Sequence, residues 1–537
     1  MLSYRKLAMR VLGRPLHTGG SDSPRPASQR AAAFILTAAM LITLAAPAFA
    51  KEWYIEDGNI TVKAGDTKGT NKVSQGTNKD VVDTDTIITG TSDTNTVTID
   101  TSKGNVDVTF DDLNIDASSR NEAAVSVTGS GNTTIKLDGD NHLTGGISDN
   151  GSYGLSGISS SGSLTISGGE TDSLTAQGGS GTDGSGGRGI FSKDLTIYGG
   201  TVNANGGNCG DGNYSDGGSG IRISSRSLTI YDGKVNAKGG NGGDGNYSDG
   251  GSGISSNGSL AISGGTVDAK GGNCGNGNYS DGGNGISSSG SLTISGGTVD
   301  AKGGNSGNGN YSAGGNGIDN GGRSGSITIS GGTVNAAGGN DGNGNYSYGG
   351  SGIHSVSGSI DLSGSLELTA KAGSPNGKAL SQNGSELVLD TIKDKLGPGA
   401  KVTATDADGK VIDQVSTPRP VEPEESSSSS DGGSAAPSAP ASPLPGLTVT
   451  DKSGAVISYT STQSGNTLTV CVGRFTASFR ISLAALRQLR AEGIETITFQ
   501  TILCSTTLSV DELLAMGGED ADAVLTHRFT DSSLTVG

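Results

Sequence analysis

One sequence pattern is written five times between Gly206 and Ser355. Its clearest copy, Ser-Leu-Thr-Ile-Ser-Gly-Gly-Thr-Val-Asp-Ala-Lys-Gly-Gly-Asn, begins at Ser291, and a glycine-rich segment follows it. The leading apolar residue recurs over a longer stretch with gaps of 31, 33, 32, 32, 35 and 33 residues, at Leu164, Leu195, Leu228, Leu260, Leu292, Ile327 and Ile360. A fixed period in this range indicates a solenoid, in which each repeat adds one unit to a continuous stack.

Each repeat contains three short apolar stretches. Apolar and polar residues alternate around Leu292 and again around Val299, which is the period-two pattern of a β-strand, and Ile286 begins a third stretch before a serine-rich corner. Gly297 lies in the turn between the first two strands, because glycine adopts positive φ without steric cost. Three strands and three corners predict an all-β fold, a triangular parallel β-helix with about 32 residues per turn.

The composition suits this fold. Glycine accounts for 95 of the 537 residues, hydrophobic residues for 31% and aromatic residues for 4%. An ordinary globular domain of this length buries more apolar side chain. Each turn of a solenoid needs only a few small apolar residues that face inward.

The chain is acidic. It contains 36 Lys and Arg and 53 Asp and Glu, which gives a net charge of −17. Without the first 50 residues there are 30 basic and 52 acidic residues, and the net charge becomes −22. This charge argues against nucleic acid as a partner, because that binding depends on Lys and Arg neutralising phosphates. It also argues against an anionic membrane surface. It suits a secreted protein that binds divalent cations.

Residues 1–50 have the features of a secretory signal peptide. Six basic residues precede an apolar segment from Ala31 to Ala46, and Pro47-Ala-Phe-Ala matches the A-x-A cleavage pattern. Cleavage there predicts a mature chain that begins at Lys51, is secreted or held at the extracellular cell surface, and is not inserted in the membrane. The alternative is an uncleaved membrane anchor, which the short apolar segment and Pro47 disfavour.

The rest of the chain divides into four predicted segments. The irregular residues 51–90 predict an N-terminal cap, and residues 91–400 predict the β-helix. Residues 416–446 are rich in proline and serine, which predicts an extended linker. Residues 447–537 predict a small α+β domain, because Ser482 to Glu492 has the N-cap and apolar spacing of a helix between strand-like stretches.

Four cysteines are too few for a disulfide scaffold. Cys209 and Cys274 occupy the same loop position two repeats apart, so about 9.6 Å would separate them, beyond the roughly 7 Å reach of a disulfide. We therefore predict free thiols at both positions. Cys471 and Cys504 can bond only if their strands are neighbours, which the sequence leaves open.

Several stretches resemble a known family. They are the passage from Val106 to Ser119, the segment Ala123-Ala-Val-Ser-Val, the segment Leu137-Asp-Gly-Asp-Asn-His-Leu-Thr-Gly-Gly, and the repeats themselves. Over about residues 80–390 they resemble the bacterial secreted carbohydrate-binding β-helix family, with relatives among clostridia and gut Firmicutes. The resemblance implies a right-handed parallel β-helix that binds acidic or cellulosic plant polysaccharide without cleaving it, with calcium associated with the fold.

The first candidate site is a row of tyrosines at one position of successive glycine-rich loops: Tyr214, Tyr247, Tyr279, Tyr311 and Tyr346. Sugars stack on aromatic faces, and tyrosine adds a hydrogen-bonding hydroxyl. The row therefore predicts a strip that binds a polysaccharide. The alternative is that the rings stack on one another and fix the loops.

The second candidate is a metal site in the same loops, formed by Asp211, Asp216, Asp244, Asp249 and Asp281. Calcium takes several oxygen ligands from carboxylates, amides and carbonyls, and a cation would relieve the repulsion between stacked carboxylates. Calcium is therefore a predicted cofactor. The alternative is that Asp, Asn and Gly are present because turns require them.

The third candidate is the cationic row Lys238, Lys270 and Lys302. Three ammonium groups in line could meet the carboxylates of a uronate polymer. Asp268 and Asp300 lie two residues earlier on the same face, so mutual neutralisation is the alternative.

Catalysis finds little support in the sequence. His142, His354 and His527 are isolated, and no nucleophile is paired with a base. We therefore predict a secreted, non-catalytic polysaccharide-binding protein. One alternative is a cell-surface adhesin or structural stalk in which the β-helix is a spacer. A β-helix polysaccharide lyase, which would need clustered Asp ligands and an Arg base, is a further alternative.

Overall fold

A computed structural model describes residues 51–149, 151–322, 325–418, 446–450, 456–457, 459–472, 476–501, 505–516, 521–527 and 532–536. The chain divides into two compact units, Met1–Glu422 and Pro423–Gly537. The predicted signal peptide and nearly all of the predicted linker lie outside the described residues. Within the described residues, no helix is both long and apolar enough to cross a membrane.

The first unit is a parallel β-solenoid, as the repeat predicts. One coil consists of the strands Ile286–Ser288, Leu292–Ile294 and Thr298–Lys302, followed by a glycine-rich loop. Each strand pairs in parallel with its equivalents in the neighbouring coils. The coils therefore form three ladders, and the prediction of three strands per repeat is confirmed.

The strands of each ladder are the following. The first ladder contains Ile60–Ala64, Val97–Asp100, Val125–Thr128, Ile158–Ser160, Ile190–Ser192, Ile221–Ile223, Ile254–Ser256, Ile286–Ser288, Ile318–Asn320, Ile353–Ser355 and Leu380–Gln382. The second contains Asn132–Asp138, Ser163–Ser167, Asp194–Ile197, Ser227–Ile230, Ser259–Ile262, Leu292–Ile294, Ile327–Ile329 and Ile360–Leu362. The third contains Asp140–Thr144, Ser173–Gln177, Thr201–Asn205, Lys234–Lys238, Thr266–Lys270, Thr298–Lys302, Gly332–Ala337, Leu366–Lys371 and Lys401–Thr405.

Both ends of the solenoid depart from this pattern. At the first end, Lys51–Tyr54, Thr86–Ser92 and Val106–Asp116 pair in parallel and lead into the second and third ladders. A short 3-10 helix, Ile55–Asp57, and the antiparallel strands Asn71–Gln75 and Asn78–Asp83 complete this end. Parallel stacking therefore already begins within residues 51–90.

The second end is closed by antiparallel pairs. Ser385–Glu386 pairs with the last strand of the first ladder, and Val411–Ser416 pairs with the last strand of the third. A 3-10 helix, Leu389–Lys395, lies between them in the chain. Antiparallel end strands of this kind interrupt the parallel template that an open solenoid would present to another chain.

The core is a line of small apolar side chains along the solenoid axis. In one coil Ile286, Leu292, Ile294, Val299 and Ala301 are all fully buried. The intervening residues point outward, because successive side chains of a strand face opposite sides. This coil thus buries five aliphatic side chains, and repetition of such coils supplies the buried apolar area that a low hydrophobic content would otherwise lack.

The glycine-rich loops pack backbone against backbone. Gly304 N–H donates to the carbonyl of Gly283 at 2.8 Å. A Cβ built on Gly304 would lie 1.9 Å from the carbonyl oxygen of Gly272 in the preceding coil. Close approach between coils therefore explains the glycine content of these loops.

The second unit is the predicted α+β domain. Its strands are Leu447–Thr450, Thr460–Ser464, Thr467–Cys471, Ala477–Ser482, Thr496–Gln500, Ser505–Ser509, Asp522–His527 and Ser532–Val536, arranged as two four-stranded sheets. Its helices are Leu483–Ala491 and Val510–Met516. The Ser482 side chain accepts from the Ala485 N–H at 3.2 Å, which confirms the predicted N-cap.

The predicted free thiols are confirmed. Cys209 and Cys274 are both unbonded, and so is Cys471, whereas Cys504 lies outside the described residues. Cys274 Sγ donates to the carbonyl of Ser280 at 2.8 Å. Burial raises the pKa of the Cys274 thiol to about 11 and also raises that of Cys209.

Replacing Gly304 with alanine should destabilise the solenoid, because the added methyl group overlaps the backbone of the preceding coil. We expect a loss of about 1–3 kcal/mol, the usual cost of overpacking. The measurement is guanidinium unfolding followed by circular dichroism. Ser263→Ala, at an exposed position outside the strands, is the control. An unfolding midpoint of Gly304→Ala equal to that of the control would contradict the packing described above.

Cys274 should resist alkylation in the folded protein, because iodoacetamide reacts with the thiolate and the raised pKa keeps this group protonated at pH 8. Peptide mass spectrometry after native labelling should find Cys274 unmodified and the partly exposed Cys471 modified. In guanidinium both should react. Native labelling of Cys274 at the rate of Cys471 would show that its loop is open.

Candidate functional site

The glycine-rich loops connect the third ladder to the first and stack in register. Their Asn and Asp side chains repeat one hydrogen bond from coil to coil, in which the side-chain oxygen accepts the backbone N–H of the equivalent residue in the next coil. In one such row Asn246 N–H donates to Asn213 Oδ1 and Asn278 N–H donates to Asn246 Oδ1, both at 2.8 Å. These residue types therefore have a structural role in joining the loops.

The five tyrosines of the predicted strip form one continuous stack. Successive ring centroids are 4.9–5.1 Å apart, and the ring planes are within 8° of parallel. All five residues have positive φ, between 56° and 62°. Residues other than glycine rarely adopt this backbone conformation, so the ring stacking and the loop hydrogen bonds must offset its energetic cost.

Stacking changes what the tyrosine row offers to a sugar. The faces of Tyr247, Tyr279 and Tyr311 are covered by neighbouring rings, and these residues are 44–49% exposed, mostly through their edges and hydroxyls. The end rings Tyr214 and Tyr346 are 72% and 78% exposed, and each keeps one free face. The surfaces of this row that a sugar can contact are therefore the outer faces of the two end rings and the line of hydroxyls.

The acidic row Asp216, Asp249 and Asp281 follows the same stacking rule. Asp249 N–H donates to Asp216 Oδ1 at 3.1 Å, and Asp281 N–H donates to Asp249 Oδ1 at 2.8 Å. Asp249 is exposed to solvent, but desolvation by the surrounding loops, followed by the charges of Asp281 and Asp216, raises its pKa to about 6. Desolvation also raises the pKa of Asp281.

The predicted calcium ligands do not converge on one point. Asp211 and Asp244 form a separate row, in which Asp244 N–H donates to Asp211 Oδ1 at 3.2 Å and Asn276 N–H donates to Asp244 Oδ1 at 2.8 Å. Across the described residues, no group of three or more His, Cys, Asp or Glu side chains has an arrangement that could hold a metal ion. The predicted acidic residues therefore form no cluster of carboxylates, and calcium binding stays a prediction.

The lysine row is aligned as predicted and is partly neutralised. Lys238, Lys270 and Lys302 are register partners on the third ladder. Lys270 Nζ lies 2.7 Å from Asp268 Oδ2, and Lys302 Nζ lies 3.1 Å from Asp300 Oδ2. Exposed pairs of this kind contribute little to stability, but they leave less positive charge free for an anionic polymer.

A polar groove runs along the solenoid beside the loops, and the sequence did not predict it. It is lined by the acidic row, continued by Ala313 and Tyr348, by glycines of each loop, and by a row of hydroxyls and amides: Ser219, Ser252, Asn284, Asn316 and Ser351. Two stretches, of about 260 and 420 Å³, share Asp249, Gly250 and Ser252 and so form one channel.

The outer face of the first ladder borders the groove. Its register partners are Phe191, Arg222, Ser255, Ser287, Asp319, His354 and Ser381. The five steps from Arg222 to Ser381, at about 4.8 Å each, make the groove roughly 24 Å long. The register could have been read from the repeat, but the opposing loop wall depends on how the loops fold back.

One end of the groove brings together an acid, an imidazole and a hydroxyl. Asp319, His354 and Ser381 are consecutive register partners, and His354 Nδ1 lies 2.8 Å from Asp319 Oδ1. Asn316 Nδ2 also donates to Asp319 Oδ1, at 3.0 Å. No hydrogen bond joins His354 to Ser381, two residues that the structure describes, so the serine has no base in contact.

Comparisons with known proteins return no relative. No family model matches the chain, and neither a curated protein nor a solved structure matches it. The family resemblance in the sequence thus finds support in the β-solenoid fold alone.

Asp249→Asn should stabilise the protein above pH 6 and have little effect near pH 4. Because the folded pKa of about 6 exceeds the ordinary 3.8, the folded state binds the proton more tightly, and the free energy of unfolding falls as pH rises between those values. The amide can still accept the Asp281 N–H. The measurement is the thermal midpoint from pH 4 to pH 8.

Asp244→Asn is the matched control, because Asp244 accepts the same kind of backbone N–H from the next loop. The difference in thermal midpoint between Asp249→Asn and wild type should grow with pH. The difference between Asp244→Asn and wild type should not follow the same pH dependence. A difference that is constant from pH 4 to pH 8 would show that Asp249 ionises normally.

Proposed function

We propose that this protein is a secreted, non-catalytic polysaccharide-binding protein whose ligand lies in the groove. The observation that carries the proposal is the groove itself, a polar channel that crosses several coils at a constant repeat. An extended ligand of repeated units suits such a channel better than a compact one does. A small-molecule site is usually a concave, mostly apolar pocket, unlike this open channel.

The chemistry of the walls supports a sugar ligand. Hydroxyl and amide side chains such as Ser252 and Asn284 both donate and accept hydrogen bonds, and the carboxylates of the acidic row accept them from sugar hydroxyls. One such set recurs with each coil along the central part of the groove. The acidic or cellulosic plant polysaccharides implied by the family resemblance are the first ligands to test.

The non-catalytic part of the proposal rests on the groove residues. Asp319 orients His354, but Ser381 has no hydrogen bond to that histidine. General-base activation of a nucleophile needs that contact. Release of unsaturated or reducing sugar ends from a bound polymer would overturn this part and favour a lyase.

Secretion is proposed from residues 1–50, whose basic, apolar and A-x-A segments follow the order of a signal peptide. Amino-terminal sequencing of the protein recovered from culture medium would test it. A terminus at Lys51 is the expected result, and retention of residues 1–50 in a membrane fraction would contradict it.

The second candidate is a surface adhesin or stalk. It is favoured by the tyrosine stack, because rings that satisfy one another stiffen the loops without needing a ligand. In that case the solenoid is a spacer, and the unit from Pro423 to Gly537 makes the contacts. Binding of the full chain to cells, with no binding to any glycan, would select this candidate.

The test is a polysaccharide array probed with the full chain and with Ser252→Tyr, which places a bulky ring where the two stretches of the groove meet. We expect wild type to bind and Ser252→Tyr to lose at least about tenfold in affinity, a loss of roughly 1.4 kcal/mol. Ser263→Tyr adds the same side chain outside the groove and should bind as wild type does.

Two further arms separate the predicted sites. Tyr214→Ala and Tyr346→Ala remove the free ring faces, and a chelator removes calcium. Binding that survives Ser252→Tyr but is lost in the tyrosine variants would move the site to the tyrosine row. Loss of binding with the chelator would support the predicted calcium, which the arrangement of the carboxylates does not by itself favour.

A further inference from the structure

Two arginines converge in the first stretch of the groove. Arg222 is the register partner of Phe191 on the outer face of the first ladder, and the guanidinium of Arg188 lies 5.3 Å from the centroid of the Phe191 ring. Both arginines line this stretch together with Ser185, Ser219 and Ser252. Two positive groups thus face this stretch of the channel, and Lys378 lines the other stretch.

Neither arginine has an acidic partner. Among the described residues, no carboxylate lies within 4.0 Å of either guanidinium, although eight other Lys or Arg side chains form such pairs with Asp or Glu: Lys63, Lys72, Arg120, Lys270, Lys302, Lys395, Arg480 and Arg490. Arg222 donates to neutral groups, Ser255 Oγ at 2.9 Å and Asn257 Oδ1 at 3.1 Å. Desolvation and the charge of Arg222 lower the pKa of Arg188, which fits two like charges without an intervening anion.

The acids nearby in the groove are held by the backbone. Asp216 and Asp249 line the same stretch, but each Oδ1 accepts the N–H of the next coil, at 3.1 and 2.8 Å. One oxygen of each carboxylate is therefore engaged by the next coil, and among the described residues neither carboxylate forms an ion pair with Arg188 or Arg222. Arg188 is also exposed to solvent, so a ligand can reach it.

We propose that Arg188 and Arg222 form a binding site for an anionic oxygen group, a carboxylate or a sulfate ester, on the polysaccharide. The planar guanidinium binds such groups through two parallel N–H donors, and charge-assisted hydrogen bonds are about twice as strong as neutral ones. This site rests on the proposed function for its polymer, but its anion chemistry can be tested separately.

The site also restricts how densely the ligand is charged. Along the groove the ligand must also pass Asp249, which lines the same stretch as the arginines, and Asp281, where a second anion would meet like charge before it reaches Lys378. The groove therefore selects a chain in which an acidic unit is followed by neutral, hydroxyl-rich units. A homopolymer charged at every unit should bind more weakly than a sparsely charged heteropolymer.

The first experiment measures binding of inorganic sulfate and of glucuronate to the full chain by equilibrium dialysis. Wild type should bind at least one of the two anions, and Arg188→Gln and Arg222→Gln should each reduce the affinity by about tenfold or more. Arg222→Lys keeps the charge without the planar fork and should give an intermediate value. Circular dichroism confirms that each variant is folded.

Arg226→Gln is the matched control. Arg226 lies four residues after Arg222, is exposed, and does not line the groove. Its replacement should leave anion binding unchanged. Equal losses of anion affinity in Arg222→Gln and Arg226→Gln would show that only net charge matters and would overturn the site. Failure of the wild-type protein to bind either anion would also overturn it.

The second experiment compares a uronate-containing heteropolysaccharide with the same polymer after chemical reduction of its carboxyl groups, and with a sulfated polymer. Wild type should prefer the acidic form by about tenfold, and the Arg188→Gln/Arg222→Gln double variant should lose that preference while it still binds the reduced polymer. Preference for the uronate or for the sulfated chain identifies the anion.

The two proposals can fail separately. Equal binding of the acidic and reduced polymers by wild type would overturn the arginine site and leave polysaccharide binding intact. Binding of the small anions through Arg188 and Arg222 without binding of any polymer would overturn polysaccharide binding and leave the arginine site intact.

Discussion

The structure depends on the parallel hydrogen bonding of equivalent residues in successive coils. This pairing fixes a spacing of about 4.8 Å between any residue and its counterpart one repeat away. The tyrosine rings stack at 4.9–5.1 Å because the backbone places them there. The same spacing lets one asparagine side chain reach the N–H of the next, and it forces the loops so close together that Gly304 has no room for a Cβ.

The same repetition has an electrostatic cost. A carboxylate in one coil is placed beside a carboxylate in the next, and desolvation together with these neighbouring charges raises the pKa of Asp249 to about 6. The row ends at Ala313 and Tyr348, so like charge does not build up along the whole solenoid. Asp216 and Asp249 each use one carboxylate oxygen to accept a backbone N–H of the next coil, and among the described residues neither forms an ion pair with an arginine of the groove.

Much of the fold could be predicted from the sequence, because a solenoid repeats a local rule. The period predicts that Leu292 lies beside Leu260, and the alternation around Val299 predicts that Val299 is in the core; both are confirmed. The free thiols of Cys209 and Cys274 followed from the same spacing. The sequence also predicted the alignment of the tyrosine row, but only the structure shows that the rings stack face to face. Sugar binding and calcium binding at the predicted residues stay predictions.

The sequence by itself determined the coil, its core and the rows of identical residues, since each of these depends only on what recurs every 32 residues or so. Only the tertiary structure decided which rows face each other. The groove forms because the loops fold back beside the first ladder, whereas the pairing of Asp319 with His354 follows the register of that ladder. Contacts between rows depend on loop conformation, which no periodic pattern specifies.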